Sequence, residues 1–447
     1  MEITNIRTPG LGDATYLLAH EGAAVLVDPQ RDIDRFLAEI GESHLHLVLE
    51  THLHNDYVSG GIEAAERTGA QLVLPAAAAP AYRHTPAFHM EDLDAGSFRV
   101  RPIHTPGHTP EHTSYLIIID DEPVALFSGG SLLVGSAGRP DLLGSERADT
   151  LARLQYISVH RLAQLPDDVS LLPTHGEGSF CTVSGAGKTT STIGEERRSN
   201  PVLLYPNVES FVKGQLSALQ PYPSYYRHMG PANLMGYDVI PQDAVPPTLT
   251  AAQLAGMEGA TVVDIRSKQE YADAHIPGSI GLEMGDQVGV WAGWLMDHDA
   301  TIVLVANHDQ DVAEAVAQFR RIGMDSVVGV HYGIGDWRAE GRPLAQHRTI
   351  DVEGFLSAYR EGEIVNLLDV RAPNEFEAGT LDGAVWSYLP DLARQLPPLS
   401  DHTKPVWMAC GSGYRANAAV KFLEDAGLEP VVLIGGGIPN VLEAMPV

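Results

Sequence analysis

In the first half of the chain, short apolar runs end again and again in polar loops that carry histidine. "YLLAHEGAAVLVDP" alternates toward Glu21-Gly22 and predicts a hairpin turning there. "HLVLE" predicts a buried strand that feeds the loop "THLHNDYVSG", with His52 and His54. "GIEAAERTG" predicts a short helix stopped by Gly69. "SYLIII" and "VALFS" predict two further strands, and "RADTLARLQYISVHRLAQL" an amphipathic helix ending before Pro166. "VSLLP" predicts a strand leading into His175. Loops at the ends of strands are where a rigid scaffold usually presents ligands.

The stretch "QPYPSYYRHMGPANLMGYDVIPQDAVPP" breaks this pattern and sets a domain boundary near Pro246. It reads either as cleft lining, through Tyr222, Tyr225, Tyr226 and His228, or as a connector packed on the surface. The remainder of the chain is an internal repeat. "TVVDIRSKQEYADAHIPGSI" at 261–280 matches "NLLDVRAPNEFEAGTLDGAV" at 366–385. "TIVLVANHDQDVAEAVAQFRRIGMD" matches "KPVWMACGSGYRANAAVKFLEDAGLE" as strand, loop and helix. The alternation predicts two α/β units with parallel sheets. The expected domains are 1–246, 247–347 and 348–447.

Composition narrows the function classes. At 447 residues the chain is too long for one ordinary core. A net charge of −29 argues against nucleic-acid and anionic-membrane partners. No apolar run approaches the roughly 20 residues of a membrane span. The two cysteines, Cys181 and Cys410, form no disulfide framework and fit a reducing cytoplasm. "MEITNIRTPG" lacks the basic and apolar regions of a signal peptide. "SGAGKTTS" around Lys188 imitates a phosphate loop, but Thr182 stands where the motif needs glycine, so no nucleotide is expected.

Cys410 ends the apolar run "VWMA", and a helix is expected from about Ala416. Between them Gly411, Ser412, Gly413, Tyr414 and Arg415 supply a small-residue loop at a helix start, an anion cradle. Such a field stabilises a thiolate and a persulfide alike. The loop resembles the active-site loop of rhodaneses, a cysteine, four residues and an arginine, and "LLDVR" and "GGGIPN" fit that fold. The resemblance implies that Cys410 carries sulfane sulfur from a donor such as thiosulfate or a thiol persulfide to an acceptor thiol. It implies that Arg415 holds the anionic donor, with Asp369 and Arg371 bracing the loop. In the first repeat Asn307 occupies the cysteine position, with His308, Asp309 and Asp311 around it, so no sulfur transfer is expected there.

In the N-terminal half, His52, His54 and Asp56 begin a His-x-His-x-Asp pattern whose next position, expected to be histidine, is Tyr57. "HTPGHTPEHTSYL" adds His108 and "LLPTHGEGS" adds His175. The order of motifs resembles the metallo-β-lactamase fold, two stacked sheets with helices on both outer faces. The resemblance implies metal ligands at His52, His54 and His108, with Asp56, His175 and Tyr57 as secondary ligands or water-positioning groups. The bridging aspartate of that family falls at Gly130, in "FSGGSLL". Three histidines suit one Zn(II) or Fe(II) per chain. Cys181, close after His175, is expected to be packed rather than reactive.

The whole chain resembles the fusions of persulfide dioxygenases with rhodaneses. "SAGRPDLLG", with Arg139 and Asp141 as candidate substrate contacts, resembles their stretch more than that of glyoxalase II. The expectation is a sulfane-sulfur enzyme handling a low-molecular-weight thiol persulfide at a mononuclear metal, with homodimers common in the family. The alternatives are a glyoxalase II-like zinc thioester hydrolase fused to a sulfurtransferase, and a metal-free scaffold carrying one active rhodanese.

Overall fold

The computed structural model describes residues 1–182, 188–241 and 245–445; residues 184–187 of "SGAGKTTS" and 242–244 of the Pro-rich stretch lie outside them. The chain divides into two compact units, 1–244 with 320–323, and 245–319 with 324–447. No described helix is long and apolar enough to cross a membrane.

The first unit is built on two six-stranded sheets. In one, strands Glu2–Thr8, Asp13–His20 and Ala23–Val27 run antiparallel. His44–Leu49, Gln71–Pro75 and Thr85–Ala87 then add in parallel. The expected hairpin turn is formed by Glu21 and Gly22, both at positive φ. In the other sheet, Arg99–His104, Thr113–Ile119 and Glu122–Gly129 are antiparallel, and Ser170–Pro173 joins Glu122–Gly129 in parallel.

The strands are apolar at consecutive positions because both of their faces are covered. Tyr16, Leu18, Val25, Val27, Leu47 and Leu49 meet Tyr115, Ile117, Phe127 and Leu172 between the sheets. Leu17, Leu26 and Val48 face outward onto Ile33, Phe36 and Ala64. Leu116, Ile118, Leu126 and Leu171 face outward onto Ala152, Val159, Leu162 and Phe211. Each fully buried side chain of this size contributes about 1.5–3 kcal/mol. Together they fix the strand ends from which the histidine loops leave. The amphipathic helix runs Ser145–Leu162. The Pro- and Tyr-rich stretch is no surface connector: it holds a helix, Tyr226–Met235, and buries Tyr225, Tyr226 and Met229.

The second unit holds the repeat as two parallel sheets. The first takes the order Ile280–Gly281, Thr261–Asp264, Ile302–Ala306, Val327–Tyr332. The second takes the order Arg348–Ile350, Pro430–Leu433, Val406–Ala409, Asn366–Asp369, Ala384–Trp386. The Asp-x-Arg turns are the same device in both copies. Arg266 grips Asp264 and the carbonyl of Ala274. Arg371 grips Asp369 and the carbonyl of Gly379. These buried pairs fix the turn after the strand; the Asp369 and Arg371 side chains bond to each other, to Gly379 O and to Thr380.

Candidate metal centre and cysteine loop

The strand His44–Leu49 ends in Glu50 and Thr51 and delivers His52 and His54 into the interior, each 1% exposed. His108 and His175 arrive from loops at the edge of the other sheet, both fully buried. The four rings pack together, with centroids 4.1 Å apart for His52–His54, 4.8 Å for His52–His108 and 5.2 Å for both His52–His175 and His108–His175.

One nitrogen of each ring faces an oxygen acceptor outside the cluster. His52 Nδ1 lies 2.8 Å from Thr51 Oγ1, whose hydroxyl donates to Asp28 at 2.7 Å. His108 Nδ1 donates to the Arg139 carbonyl at 2.8 Å, and His175 Nδ1 to Asp13 at 2.8 Å. His54 Nε2 lies 3.2 Å from Asp28 and 3.3 Å from Glu50. These acceptors fix the tautomers, so the remaining nitrogens are lone-pair donors. His108 Nε2 and His54 Nδ1 are buried and without a hydrogen-bond partner. His52 Nε2 and His175 Nε2 face each other at 3.3 Å. Two lone pairs at that distance repel unless a cation or a proton lies between them. The donor set therefore fits a metal ion, held by imidazoles whose outer nitrogens are anchored to oxygen acceptors.

The electrostatics agree. Burial opposes charge on His54, but Asp28 and Glu50 hold its pKa well above the ordinary value. Burial likewise opposes ionisation of Asp28, but His54 and the hydrogen bonds of Thr174 and Thr51 hold it low. Burial pushes Asp13 and Asp56 up to about 7. His54, Asp13 and Asp56 keep protons that a bound cation would displace, while burial holds His52, His108 and His175 below the ordinary value and keeps their inner nitrogens as lone pairs.

Among the described residues, four groups around the cluster offer ligand atoms within 4.8 Å of one another: His52 with His54 and His175, His108 with His175 and Cys181, Asp13 with Asp56 and His175, and Asp28 with Glu50 and His54. His175, expected as secondary, is common to three of the four. Asp56 Oδ2 is 3.4 Å from His175 Nδ1. Tyr57 does not reach into the cluster. Its ring stacks on His54 at 4.3 Å, and its hydroxyl meets His54 Nε2 at 3.0 Å and the Asp28 carbonyl at 3.2 Å. It braces the outer side of His54.

Gly130, the position expected to carry the family carboxylate, packs against the His108 ring. A Cβ there would lie 2.3 Å from His108 Cδ2 and 2.8 Å from its Nε2. The backbone N–H of Gly130 donates to His112 Nε2 at 2.9 Å, and His112 stacks on His52 at 5.1 Å.

Arg139 and Asp141 are not an open substrate contact. Arg139 is 2% exposed and binds Asp141 through two bonds of 2.8 and 2.9 Å. It also donates to the Phe180 carbonyl and lies over Tyr222. Its carbonyl holds His108, so this pair positions a histidine. Tyr225 Oη is buried without a partner, and Tyr226 Oη lies 3.8 Å from Cys181 Sγ. His228 lies on the same helix, partly buried. Cys181 is packed, as expected, and burial pushes its thiol far up. Its place beside His108 and His175 had no motif to announce it. The same holds for Asp13, which lies far from His175 in sequence.

In the second repeat, Cys410 follows the strand Val406–Ala409 and precedes the helix Tyr414–Asp425. Its thiol is fully buried and accepts the Gly413 N–H at 3.1 Å. Gly413 has φ +86, and a Cβ there would lie 2.8 Å from the Leu433 carbonyl, so only glycine fits. Gly411, Ser412 and Tyr414 complete the loop. Arg415 is held by both oxygens of Glu375, a partner no motif gave, with one bond of 2.7 Å. In the first repeat Asn307 binds Glu270, which occupies the Glu375 position, at 2.8 Å. Gln310 accepts the Asn307 N–H and donates to the Ile265 carbonyl. Side chains fill that cradle.

Residues 8–175 match the model of the metallo-beta-lactamase superfamily. Residues 250–340 and 352–444 match the rhodanese-like domain. A hydroxyacylglutathione hydrolase of Methylobacterium sp. is 30% identical, over 44% of this chain and 80% of its own length. Another from Acidiphilium cryptum is 29% identical, over 47% of this chain and 93% of its own length. A solved metallo-beta-lactamase from Staphylococcus aureus is 27% identical with a TM-score of 0.68, covering 74% of this chain and 99% of that one. The chain belongs to the metallo-beta-lactamase superfamily. It is an enzyme with a metal-dependent domain of that fold, followed by two rhodanese-like domains.

Proposed function

We propose that the chain is a sulfane-sulfur enzyme in which Cys410 transfers sulfur and the histidine cluster acts on a low-molecular-weight thiol derivative. The carrying observation is the Gly413 N–H on Cys410 Sγ, next to an arginine clamped by Glu375. The working division is 1–246, 247–347 without chemistry of its own, and 348–447. Two free buried cysteines suit a reducing cytosol.

At Cys410 the thiolate attacks the sulfane sulfur of thiosulfate. The S–S bond of thiosulfate breaks, and sulfite leaves with its electron pair. Cys410 becomes a persulfide anion, held by the Gly413 N–H and faced by Arg415. Cyanide or an acceptor thiolate then takes the terminal sulfur and restores the Cys410 thiolate. No net oxidation occurs. Thiosulfate:cyanide sulfurtransfer by the full chain is the assay, and a rate no higher than the uncatalysed one would remove this reading.

In the N-terminal unit His52, His54, His108 and His175 would hold one Fe(II) or Zn(II), with Asp56 and Asp13 as the available carboxylates. When bound, the metal supplies Lewis acidity, or oxygen activation if it is iron. The protein's part is to fix the imidazoles: Thr51, Asp28, Arg139 and Asp13 hold the outer nitrogens, and Tyr57 packs behind His54. The second reading, thioester hydrolysis, is favoured by the relatives named hydroxyacylglutathione hydrolases. Oxygen uptake with a thiol persulfide supports the first reading. Cleavage of an acylated thiol without oxygen uptake supports the second.

Glu375→Gln tests the cysteine loop. It removes the carboxylate that aims Arg415, and loss of a charged hydrogen-bond partner costs about 1.5–3 kcal/mol. The expected result is a roughly tenfold to hundredfold lower kcat/KM for thiosulfate, carried mainly by KM. Unchanged kinetics would mean that Arg415 needs no aiming.

A further inference from the structure

In the second unit, the seam between the two rhodanese-like repeats gathers three side chains. His275 comes from the first repeat, His347 from the segment joining the repeats, and Glu424 from the helix after the Cys410 loop. Their ligand atoms lie within 4.8 Å of one another. His275 is fully buried, and its Nδ1 donates to the Tyr271 carbonyl at 2.7 Å. That bond leaves Nε2 as a lone pair, and Nε2 faces Glu424 Oε2 at 3.0 Å. Two acceptors that close need a positive charge between them. A proton on His275 satisfies that pair alone. It leaves His347, whose two ring nitrogens are both buried without a hydrogen-bond partner. A shared cation satisfies all three side chains.

We infer that His275, His347 and Glu424 form a second metal site, for a divalent cation of the zinc class. Two imidazoles and a carboxylate are a borderline set suited to such an ion. The Tyr271 carbonyl on His275 Nδ1 is the outer-shell anchor that ligating histidines usually have. The backbone holds the segment in place. His275 and Ala345 exchange two hydrogen bonds of 2.9 Å, and His347 N–H donates to Ala272 O at 3.0 Å. Tetrahedral binding at about 2.0–2.1 Å sets ligand atoms roughly 3.3 Å apart. His275 and Glu424 already meet that spacing, and the His347 ring has only to swing in. His347 is partly exposed, which leaves a side open for water as fourth ligand. The second repeat has Thr380 at the His275 position, bonded to Asp369 at 2.8 Å, so the site exists once. The cation would tie the joining segment to the helix that carries Arg415.

The test is cobalt(II) titration of the chelator-stripped full chain, read by the visible absorption of four-coordinate cobalt. A His54→Ala/His175→Ala background breaks every such ligand group of the N-terminal cluster, so the two sites fail separately. The expected result is one equivalent bound in that background, lost on adding His347→Ala. Adding Glu424→Ala instead weakens binding by roughly tenfold or more. Retained sulfurtransfer certifies that each variant is folded. Equal cobalt uptake with and without His347, or no uptake in the His54→Ala/His175→Ala background, overturns the site.

Discussion

Cys410→Ser reduces thiosulfate:cyanide sulfurtransfer to the uncatalysed background and leaves the metal content of the chain unchanged. The substitution is nearly isosteric, and the serine hydroxyl can accept the same Gly413 N–H that Sγ accepts at 3.1 Å. What is lost is chemical. A hydroxyl is not ionised near neutral pH, and its oxygen does not form the persulfide that carries the sulfur. The neighbours that would rescue a different nucleophile are absent from the described loop, which presents Gly411, Ser412, Gly413, Tyr414 and Arg415. Transfer at the parent rate in Cys410→Ser would take Cys410 out of the mechanism. The first repeat would then need a new reading, although Asn307, Gln310 and Glu270 fill its loop.

Gly130→Asp, which would restore the family carboxylate, lowers metal binding and destabilises the fold. The new Cβ would lie 2.3 Å from His108 Cδ2 and 2.8 Å from its Cγ and Nε2. His108 must move, which lengthens or breaks its bond to the Arg139 carbonyl and turns Nε2 away from the other rings. Overpacking of this kind costs about 1–3 kcal/mol. Gly130→Ala separates shape from charge: it is expected to lose metal and melting temperature nearly as much. Metal counts and melting curves on the two variants check this. A Gly130→Asp chain that binds metal more tightly than the parent would mean that His108 yields and the carboxylate is wanted.

The parts of the fold that were legible in the sequence are those set by local pattern. Glu21-Gly22 made its hairpin, the apolar runs made sheets covered on both faces, and the repeated Asp-x-Arg turns made matching braces. The histidines could be read because each sits where an apolar strand runs out. What could not be read depends on packing between distant strands. Asp13 meets His175 only because two sheets stack. Tyr57 looked like a substituted ligand, yet its hydroxyl belongs to the outer nitrogen of His54. Arg139 looked like a substrate contact, but burial turned it inward to Asp141 and left its carbonyl to hold His108. Glu375 and Arg415 are joined by the closing of one sheet, which no spacing announces. The Pro-rich stretch looked irregular, but Tyr225 and Tyr226 are drawn under the fold by the aromatic surface they bury.

The central claim is that the four buried histidines still bind a metal although Tyr57 and Gly130 stand at two family ligand positions. The direct measurement is elemental analysis of the full chain, purified anaerobically without chelator, beside His108→Ala. The expected result is about one metal fewer per chain in the variant, with sulfurtransfer equal in both. Iron as the lost metal points to oxygen chemistry on a thiol persulfide, and zinc to thioester hydrolysis. Equal metal content in the two proteins would contradict the account and leave Cys410 as the sole reactive centre.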